Sequence, residues 1–326
     1  MKLSIHTHSE AWPLAQEFRI ARGAKRIADV VVVRVSDGQY HGLGECVPYP
    51  RYGESVASTL TELSTATTID QLGAGAARNA WDCALWDLRA QQEGRPVWAI
   101  AGLPEPVPVE TAFTIGIDSI AAMQAAAADN ADRPVLKIKL GGLDRHLDGE
   151  RLRAVRDAAP TAEIIVDVNE GWSIEVLNEV MPVAEEVRVA MIEQPLPAEA
   201  DEALAGFDSP VPIGADESVH TGAQLEALRN KYQIVNIKLD KTGGLTHAIE
   251  TIALAKSLQF DIMVGCMVAT SLSMAPAMLL APMARFVDLD GPLLLREDRV
   301  PGLEYHNSTI TWPRLRLWGQ PQGPRE

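Results

Sequence analysis

Short apolar runs recur along the chain from about residue 107 onward, and they alternate with amphipathic stretches. Their β-branched residues are apolar on both faces, which is typical of parallel strands that are covered on both sides. Eight such runs occur, at residues 107–115, 135–140, 164–169, 189–193, 211–216, 234–239, 261–265 and 285–289. The segments between them have the spacing of helices, as in ERLRAVRDAAP and GAQLEALRNK. The alternation predicts an α/β fold with a TIM-type (β/α) barrel.

The first hundred residues have a different pattern. MKLSIHTHSEAW and IADVVVVRVSDGQYHGLGEC favour antiparallel strands, and Asp37-Gly38 is a hairpin signal. GAARNAWDCALWDLRAQQ predicts a helix with one apolar stripe, formed by Ala77, Trp81, Ala84, Leu85 and Leu88. We therefore predict an α+β domain at residues 1–103, a barrel at 104–295, and a C-terminal segment at 296–326 that packs back on the first domain.

Composition narrows the class of protein. The 326 residues are 47% hydrophobic, which suits one large barrel or two domains with a sizeable core. A net charge of −15 argues against nucleic acid or an anionic membrane as a partner. The three cysteines lie far apart without a metal-ligand spacing, and no secretory signal opens the chain. We therefore expect a cytoplasmic location.

One uncharged stretch, Ile262 to Ala284, is long enough to cross a bilayer. Gly265, Pro276 and Pro282 interrupt it, together with several Ser and Thr residues, and no basic cluster flanks it. A buried strand followed by a buried helix fits this composition better than a membrane span.

Five charged residues close five of the apolar runs: Lys139, Asp167, Glu193, Asp216 and Lys238. In a parallel barrel the catalytic groups lie where the strands end, at one mouth. The three carboxylates come from three successive strands, and oxygen ligands without nearby His or Cys favour Mg²⁺ over Zn²⁺. Any one of them could instead cap the next helix. Because three carboxylates occupy equivalent positions at the ends of successive strands, a metal site is favoured over helix capping.

The lysines indicate a base on each side of this site. Lys137 and Lys139 are two residues apart and project from the same face of one strand, so each disfavours the other's protonation. A solvated lysine pair on an edge strand is the alternative, but the run VLKIKL is too apolar to favour it. Lys238 lies four strands further round the ring, whereas Lys241 is expected in the following turn. Two opposed bases beside a metal-held substrate suit a racemase or epimerase that proceeds through an enediolate.

The motifs KIK, DVNEGW, IEQPLP, GADES and NIKLDKTGGLT together resemble the muconate-lactonizing subgroup of the enolase superfamily. The chain departs from it in DVNEG, where we expected DANES. The resemblance implies an acid/base pair and an electrostatic helper, namely Lys139, Lys238 and, as the helper, Lys137. It implies one Mg²⁺ per subunit with three ligands, namely Asp167, Glu193 and Asp216. The first hundred residues are similar to the capping domain of that superfamily, which closes over the barrel mouth.

Finer matches concern the substrate. Asp288 and Asp290 in VDLDGP resemble the pair that dipeptide epimerases use to hold an α-ammonium group. The sequence DGP is also turn chemistry, but a turn would leave Asp288 unexplained. FRIARGAKR resembles a capping loop in which the residue matching Arg22 binds a glutamate side-chain carboxylate, and GLGECVPYPRYGES resembles the second capping loop. Thr114, in the first barrel run, completes the predicted substrate-binding set.

The resemblance implies an isomerase that interconverts L-Ala-D-Glu and L-Ala-L-Glu by 1,1-proton transfer, in the recycling of murein peptides. An epimerase of other dipeptides, a muconate cycloisomerase and an o-succinylbenzoate synthase are alternatives on the same scaffold. Lactonizing enzymes need no acidic pair for an ammonium group, which disfavours them. A non-catalytic binder of metal or peptide is the remaining alternative, and binding alone would not need two opposed lysines.

Overall fold

The computed structural model describes residues 3–313 and 316–321. It begins with an antiparallel sheet in the order β1-β2-β3, formed by β1 (Ser4–Ile20), β2 (Gly23–Ser36) and β3 (His41–Cys46). In the turn between β2 and β3, the Asp37 carboxylate accepts hydrogen bonds from the backbone N–H groups of Gln39 (2.8 Å) and Tyr40 (2.7 Å). The predicted hairpin is confirmed.

Helices α1 (Val56–Thr65) and α2 (Ala76–Glu93) cover one face of this sheet, and the short α3 (Val97–Ile100) follows α2. The predicted stripe of α2 packs on the valines of β2, which confirms the helix and its buried face. β3 meets α2 at two glycines. A Cβ atom at Gly42 would lie 2.0 Å from the Ala84 carbonyl oxygen, and one at Gly44 would lie 2.1 Å from that of Ala80. Only glycine permits so close an approach of helix and strand.

The first predicted barrel run, 107–115, is two strands instead of one, so this part of the prediction was wrong. β4 (Val109–Glu110) pairs outside the barrel, and β5 (Phe113–Ile115) begins it. Thr111 and Ala112 between them are fully buried and turn the chain from one sheet into the other.

The barrel consists of eight parallel strands in sequence order, as predicted. After β5 come β6 (Val135–Lys139), β7 (Glu163–Asp167), β8 (Val189–Glu193), β9 (Ile213–Ala215), β10 (Ile234–Ile237), β11 (Asp261–Gly265) and β12 (Phe286–Asp288). The two ends of the sheet meet through the Ala112 N–H, which donates to the Val287 carbonyl oxygen at 2.8 Å. The Leu289 N–H also donates to the Thr111 hydroxyl oxygen at 2.8 Å. The result is a nearly closed barrel.

Among the described residues, not every pair of successive barrel strands is joined by an α-helix, and some of the helices have only four residues. They are α4 (Ile120–Asp129), α5 (Asp148–Ala158), α6 (Ile174–Glu186), α7 (Leu225–Leu228), α8 (Leu239–Thr242), α9 (Leu245–Ser257) and α10 (Ser271–Met278). The helix predicted from GAQLEALRNK is only α7 with a 3-10 turn before it, and a 3-10 stretch at Ala198–Leu204 joins β8 to β9. The uncharged stretch from Ile262 forms β11 and α10, as predicted. Within 3–313 and 316–321, no helix is long and apolar enough to span a membrane.

The segment after the barrel contacts both parts of the chain. β13 (Glu304–His306) and β14 (Thr309–Thr311) form a small antiparallel sheet with β4. Further along, Arg316 donates to Asp87 at 2.7 Å, and the Trp318 indole N–H donates to the Cys83 carbonyl oxygen at 3.0 Å. Both acceptors lie on α2. The rest of the predicted 296–326 segment, at 314–315 and 322–326, lies outside the described residues. The domain bounds at 103 and 295 remain predictions.

The barrel interior changes from apolar to charged along the strands. Its floor is an apolar cluster of Val135, Ile165, Met191, Ile234, Met263 and Phe286. Successive side chains of a strand alternate between its faces, so the next inward position comes two residues later. Those positions are polar and buried: Lys137, Asp167, Glu193, Asn236 and Asp288. The fold therefore directs charged groups to one end of the barrel.

Barrel closure predicts the effect of Thr111→Val. The valine has nearly the same shape but no hydroxyl, so the buried Leu289 N–H would lose its acceptor. We expect the free energy of unfolding, from urea titration, to fall by about 1–3 kcal/mol. Thr111→Ser keeps the hydroxyl and is the control. Equal stability of the valine and serine variants would contradict this account of closure.

Candidate active site

The structure brings the predicted site residues together at the carboxyl ends of the barrel strands. A cavity of about 560 Å³ lies there, and eight of them line it: Arg22, Thr114, Lys137, Lys139, Asp216, Lys238, Asp288 and Asp290. Asp167 and Glu193, the last residues of β7 and β8, are fully buried beside Lys137. Asp216 and Lys238 each lie one residue beyond their strand.

Lys137 lies among three carboxylates. Its Nζ is 2.6 Å from Asp288 Oδ2, 2.8 Å from Glu193 Oε2 and 3.1 Å from Asp167 Oδ2. Burial disfavours the ammonium form, but these carboxylates outweigh it and raise the pKa of Lys137 well above its ordinary value. The side chain is therefore a fixed cation, which suits an electrostatic helper better than a base.

Lys139 and Lys238 approach the cavity from opposite sides. They end β6 and follow β10, which are four strands apart in the eight-stranded sheet. Lys139 pairs with Asp167, and Lys238 Nζ lies 2.6 Å from Asp216 Oδ2. Burial alone would lower the pKa of Lys238. The negative charges of Asp216 and Glu193 outweigh burial, so the pKa lies above its ordinary value. Each lysine is thus held by one of the three predicted metal carboxylates.

Lys241 lies in α8 and points back under the site, rather than sitting in an ordinary turn as expected. Its fully buried Nζ donates to Asp216 Oδ1 (2.5 Å), to the Asp216 carbonyl oxygen (2.6 Å) and to the Asn236 carbonyl oxygen (2.9 Å). It fixes the orientation of Asp216. Sequence reasoning missed this role. The available signal was a second lysine one helical turn after Lys238.

The donor set fits a hard divalent cation, because all its candidate ligand atoms are carboxylate oxygens. Glu193 Oε1 accepts a hydrogen bond from Asn236 at 2.6 Å, whereas its buried Oε2 lies 2.8 Å from the Lys137 ammonium group. Gly265 makes room for this contact, since a Cβ there would lie 2.5 Å from Asn236 Oδ1. Among the described residues, no three acidic, His or Cys side chains are arranged around one point as metal ligands. In this conformation Asp167 and Asp216 turn toward lysine ammonium groups instead.

Asp288 and Asp290 form an acidic corner of the cavity. Asp288 Oδ1 is buried without a hydrogen-bond donor, while its Oδ2 contacts Lys137. Asp290 Oδ2 accepts the Thr114 backbone N–H at 2.7 Å, so the Thr114 contact is made by the main chain. Burial and the neighbouring Asp288 raise the pKa of Asp290 to about 7. The Asp290 carbonyl also accepts from Leu293 in a 3-10 turn, so the turn and the acidic pair coexist.

The structure distinguishes two cations of the FRIARGAKR motif, Arg22 and Lys25. Arg22 is engaged with barrel loops, since its guanidinium lies 2.7 Å from Glu217 Oε1 and 3.0 Å from Glu170 Oε2. Lys25, on β2, lines the cavity, and within the described part of the chain no side chain pairs with its ammonium group. Burial lowers its pKa to about 8. Lys25 was missed, although it lies in the same motif as Arg22.

Two family descriptions match the two parts of the chain. Residues 2–102 match the N-terminal domain of mandelate racemase / muconate lactonizing enzyme, and residues 120–315 match the enolase C-terminal domain-like family.

Similar proteins align over nearly the whole chain. The L-Ala-D/L-Glu epimerase of Escherichia coli (strain K12) is 44% identical, over 93% of this chain and 97% of its own length. The N-acetyl-D-glutamate racemase of a Pseudoalteromonas species is 43% identical, over 89% of this chain and 95% of its own.

Solved structures agree in fold. An enolase family member from Agrobacterium tumefaciens, with homology to dipeptide epimerases and with bound sodium and L-Ala-L-Glu, has a TM-score of 0.92 at 47% identity. The match covers 97% of this chain and 100% of that one. A dipeptide epimerase from Methylococcus capsulatus, complexed with Mg and L-Arg-D-Lys, has a TM-score of 0.86 at 30% identity, covering 95% and 97%. The solved structures of dipeptide epimerases from Methylococcus capsulatus and Cytophaga hutchinsonii contain Mg²⁺.

The raised pKa of Asp290 predicts a pH-dependent effect of Asp290→Asn. In the folded protein the ionised form of Asp290 is disfavoured, so its ionisation lowers the free energy of unfolding. This loss begins above the ordinary pKa of 3.8 and is complete above about 7. Without metal or substrate, the variant should match the wild type near pH 3.5. At pH 8 its free energy of unfolding should be higher by up to about 4 kcal/mol.

Urea titrations across this pH range measure the difference. Asp208→Asn, at an exposed carboxylate, is the control and should show no such trend. A difference for Asp290→Asn that does not change between pH 3.5 and 8 would contradict the interpretation.

Proposed function

We propose that this chain, which belongs to the mandelate racemase / muconate lactonizing enzyme family of the enolase superfamily, is a Mg²⁺-dependent epimerase of L-Ala-D-Glu and L-Ala-L-Glu. The observation that carries the proposal is the placement of Lys139 and Lys238 on opposite sides of one cavity, with Asp288 and Asp290 at its edge. The proposed role is the recycling of murein peptides in the cytoplasm.

Asp167, Glu193 and Asp216 would hold one Mg²⁺. Their oxygen-only donor set supports this assignment. When bound, Mg²⁺ would stabilise the negative charge of the enediolate that forms beside the substrate carboxylate. Asn236 and Lys241 orient Glu193 and Asp216, respectively, for this role.

The proton steps belong to the two opposed lysines. One Nζ, as a neutral amine, removes the proton from the α-carbon of the second residue, and the other, as an ammonium group, donates a proton from the opposite side, which inverts the centre. Because β6 and β10 are four strands apart in an eight-stranded barrel, Lys139 and Lys238 are placed for such an exchange. Lys137 remains protonated among its carboxylates and adds positive charge close to the reacting group.

The cavity wall supplies the substrate contacts. The unpaired Asp288 Oδ1 and the nearby Asp290 carboxylate suit the α-ammonium group of a dipeptide. We propose Lys25, rather than the predicted Arg22, as the cation that receives the glutamate side-chain carboxylate. Lys25 lines the cavity without a side-chain ion pair in the described structure, whereas Arg22 is held by Glu170 and Glu217.

A second candidate function is the racemisation of N-acylated glutamate. The Pseudoalteromonas relative is named for this activity. Asp288 is already paired with Lys137, and the pKa of Asp290 is about 7, so this corner tolerates a neutral acyl group. Epimerases of other dipeptides share the same proton chemistry. Muconate cycloisomerases and o-succinylbenzoate synthases do not need the acidic corner.

The proposal is tested by proton NMR in D₂O with Mg²⁺. We expect the glutamate α-proton of L-Ala-L-Glu to exchange and the L-Ala-D-Glu epimer to accumulate. N-acetyl-L-glutamate is the parallel substrate. Exchange of the N-acetyl compound alone would establish the second candidate function, and exchange of neither compound would overturn the proposal.

Lys25→Met tests how the side-chain carboxylate is recognised. Loss of a charge-assisted contact should lower kcat/KM for L-Ala-L-Glu by about 10- to 100-fold, because such a contact contributes about 1.5–3 kcal/mol. Turnover of L-Ala-L-Gln, whose side chain is neutral, should change by less than about threefold.

Arg26→Met is the matched control for this variant. Arg26 is a neighbouring cation that is exposed and pairs with Glu17 instead of facing the cavity. Equal losses for the glutamate and glutamine dipeptides in Lys25→Met would show that Lys25 does not bind the carboxylate.

A further inference from the structure

Four charged side chains lie across the mouth of the cavity: Arg22, Arg51, Glu170 and Glu217, which we name the clasp. Arg22 follows β1, and Arg51 lies in the 3-10 turn Pro50–Tyr52, so both belong to the two capping loops. Glu170 and Glu217 lie in barrel loops. The clasp therefore joins the two parts of the chain directly above the proposed site.

Glu170 is the centre of the clasp. Arg51 donates to both its carboxylate oxygens, from Nε to Oε2 and from Nη2 to Oε1, each at 2.7 Å. Arg22 Nη1 donates to Oε2 at 3.0 Å, and the Ala198 N–H donates to Oε1 at 2.9 Å. The Glu170 side chain is only 7% exposed. A two-pronged arginine–carboxylate pair with so little water access has a strongly preferred geometry.

Arg22 extends the clasp to a second barrel loop. Its Nη2 lies 2.7 Å from Glu217 Oε1, and its Nη1 donates to the Asn169 carbonyl oxygen at 2.9 Å. Glu217 directly follows Asp216, and Asn169 lies two residues after Asp167. The capping loops thus hold the loops that follow two of the proposed metal ligands.

The loop that carries Glu170 has an uncommon backbone conformation. Asn169 and Glu170 have φ angles of 47° and 68°, in the left-handed region that residues other than glycine rarely adopt. The Asn169 N–H donates to Asp167 Oδ1 at 3.0 Å, and the Glu170 N–H donates to the Gln194 carbonyl oxygen at 2.9 Å. Such a conformation persists only where the surroundings fix it. The barrel therefore fixes the backbone position from which the Glu170 side chain reaches the two arginines.

We infer that Glu170 is a positioning residue, which holds the capping loops over the cavity through Arg22 and Arg51. The inference goes beyond the proposed function, because it concerns closure of the site, whatever amino acid derivative the site accepts.

Glu170→Gln tests the inference, because it removes the charge and keeps the shape. Limited trypsin digestion of the full chain, followed by mass spectrometry, measures cleavage after Arg22 and Arg51, whose side chains trypsin must bind. We expect the clasp to protect both bonds in the wild type and cleavage after Arg51 to be at least ~10-fold faster in the variant. The KM for L-Ala-L-Glu should rise ~10-fold, with kcat changed less than ~3-fold, because the capping loops bind the substrate without performing the chemistry.

Glu186→Gln is the matched control. It breaks an arginine pair of similar geometry, with Arg153 Nη2 2.7 Å from Glu186 Oε2, but both side chains are about half exposed and lie away from the cavity. Its trypsin cleavage after Arg51 should match that of the wild type. Arg51→Lys keeps the charge without the two-pronged geometry, and it should raise KM in the same way if Glu170→Gln fails to fold, as judged by thermal melting.

Equal cleavage rates after Arg51 in Glu170→Gln and Glu186→Gln would overturn the inference. If Arg51→Lys is used in place of Glu170→Gln, an unchanged KM for L-Ala-L-Glu would overturn the inference. If no dipeptide is turned over at all, the proposed function fails, but the trypsin comparison still decides whether the clasp exists.

Discussion

The rest of the site depends on one buried arrangement, the ammonium group of Lys137 among the carboxylates of Asp167, Glu193 and Asp288. Charges removed from water are costly unless opposite charges lie close by and hydrogen bonds complete their surroundings. Here positive and negative groups come from different strands of one barrel, so only the closed barrel brings them together. Removing one of these side chains would leave a buried charge without compensation. The charged groups of the site and the closed barrel therefore depend on each other.

The sequence predicted the parts of this arrangement that follow from local periodicity. The two-residue repeat of a strand identified which residues face inward, and the positions where apolar runs end identified the carboxyl ends of β6, β7 and β8. The structure confirms the barrel and the antiparallel domain that precedes it. The division of the run 107–115 into β4 and β5 was missed, because it depends on the pairing of β4 with β14, about 200 residues later.

Other features depend on contacts that no local pattern contains. Lys241 reaches Asp216 because α8 begins directly after β10 and turns the chain back beneath the mouth. Arg22 was predicted to bind substrate from its motif, yet its guanidinium contacts Glu170, 148 residues away. Lys25, three residues further on, lines the cavity as Arg22 does, but it has no side-chain ion pair within the described residues. Carboxylates that are distant in the sequence hold Arg22, and the motif alone does not contain that information.

The barrel and the capping loops have different roles in the proposed function. In that function, the barrel would provide proton transfer and the metal ligands, while the capping loops would provide closure and recognition of the substrate side chain. The C-terminal segment also helps to join them, because Arg299 lies 2.6 Å from Glu45 of β3 and 2.5 Å from Glu10 of β1.

The central claim is that Lys139 and Lys238 serve opposite faces of one α-carbon. The most direct measurement is α-proton exchange in D₂O for Lys139→Ala and Lys238→Ala, with L-Ala-L-Glu and L-Ala-D-Glu supplied separately. The account predicts that both variants lose epimerisation, that one still exchanges the α-proton of the L-Glu dipeptide, and that the other still exchanges that of the D-Glu dipeptide. Exchange of both epimers by either variant at the wild-type rate would contradict it.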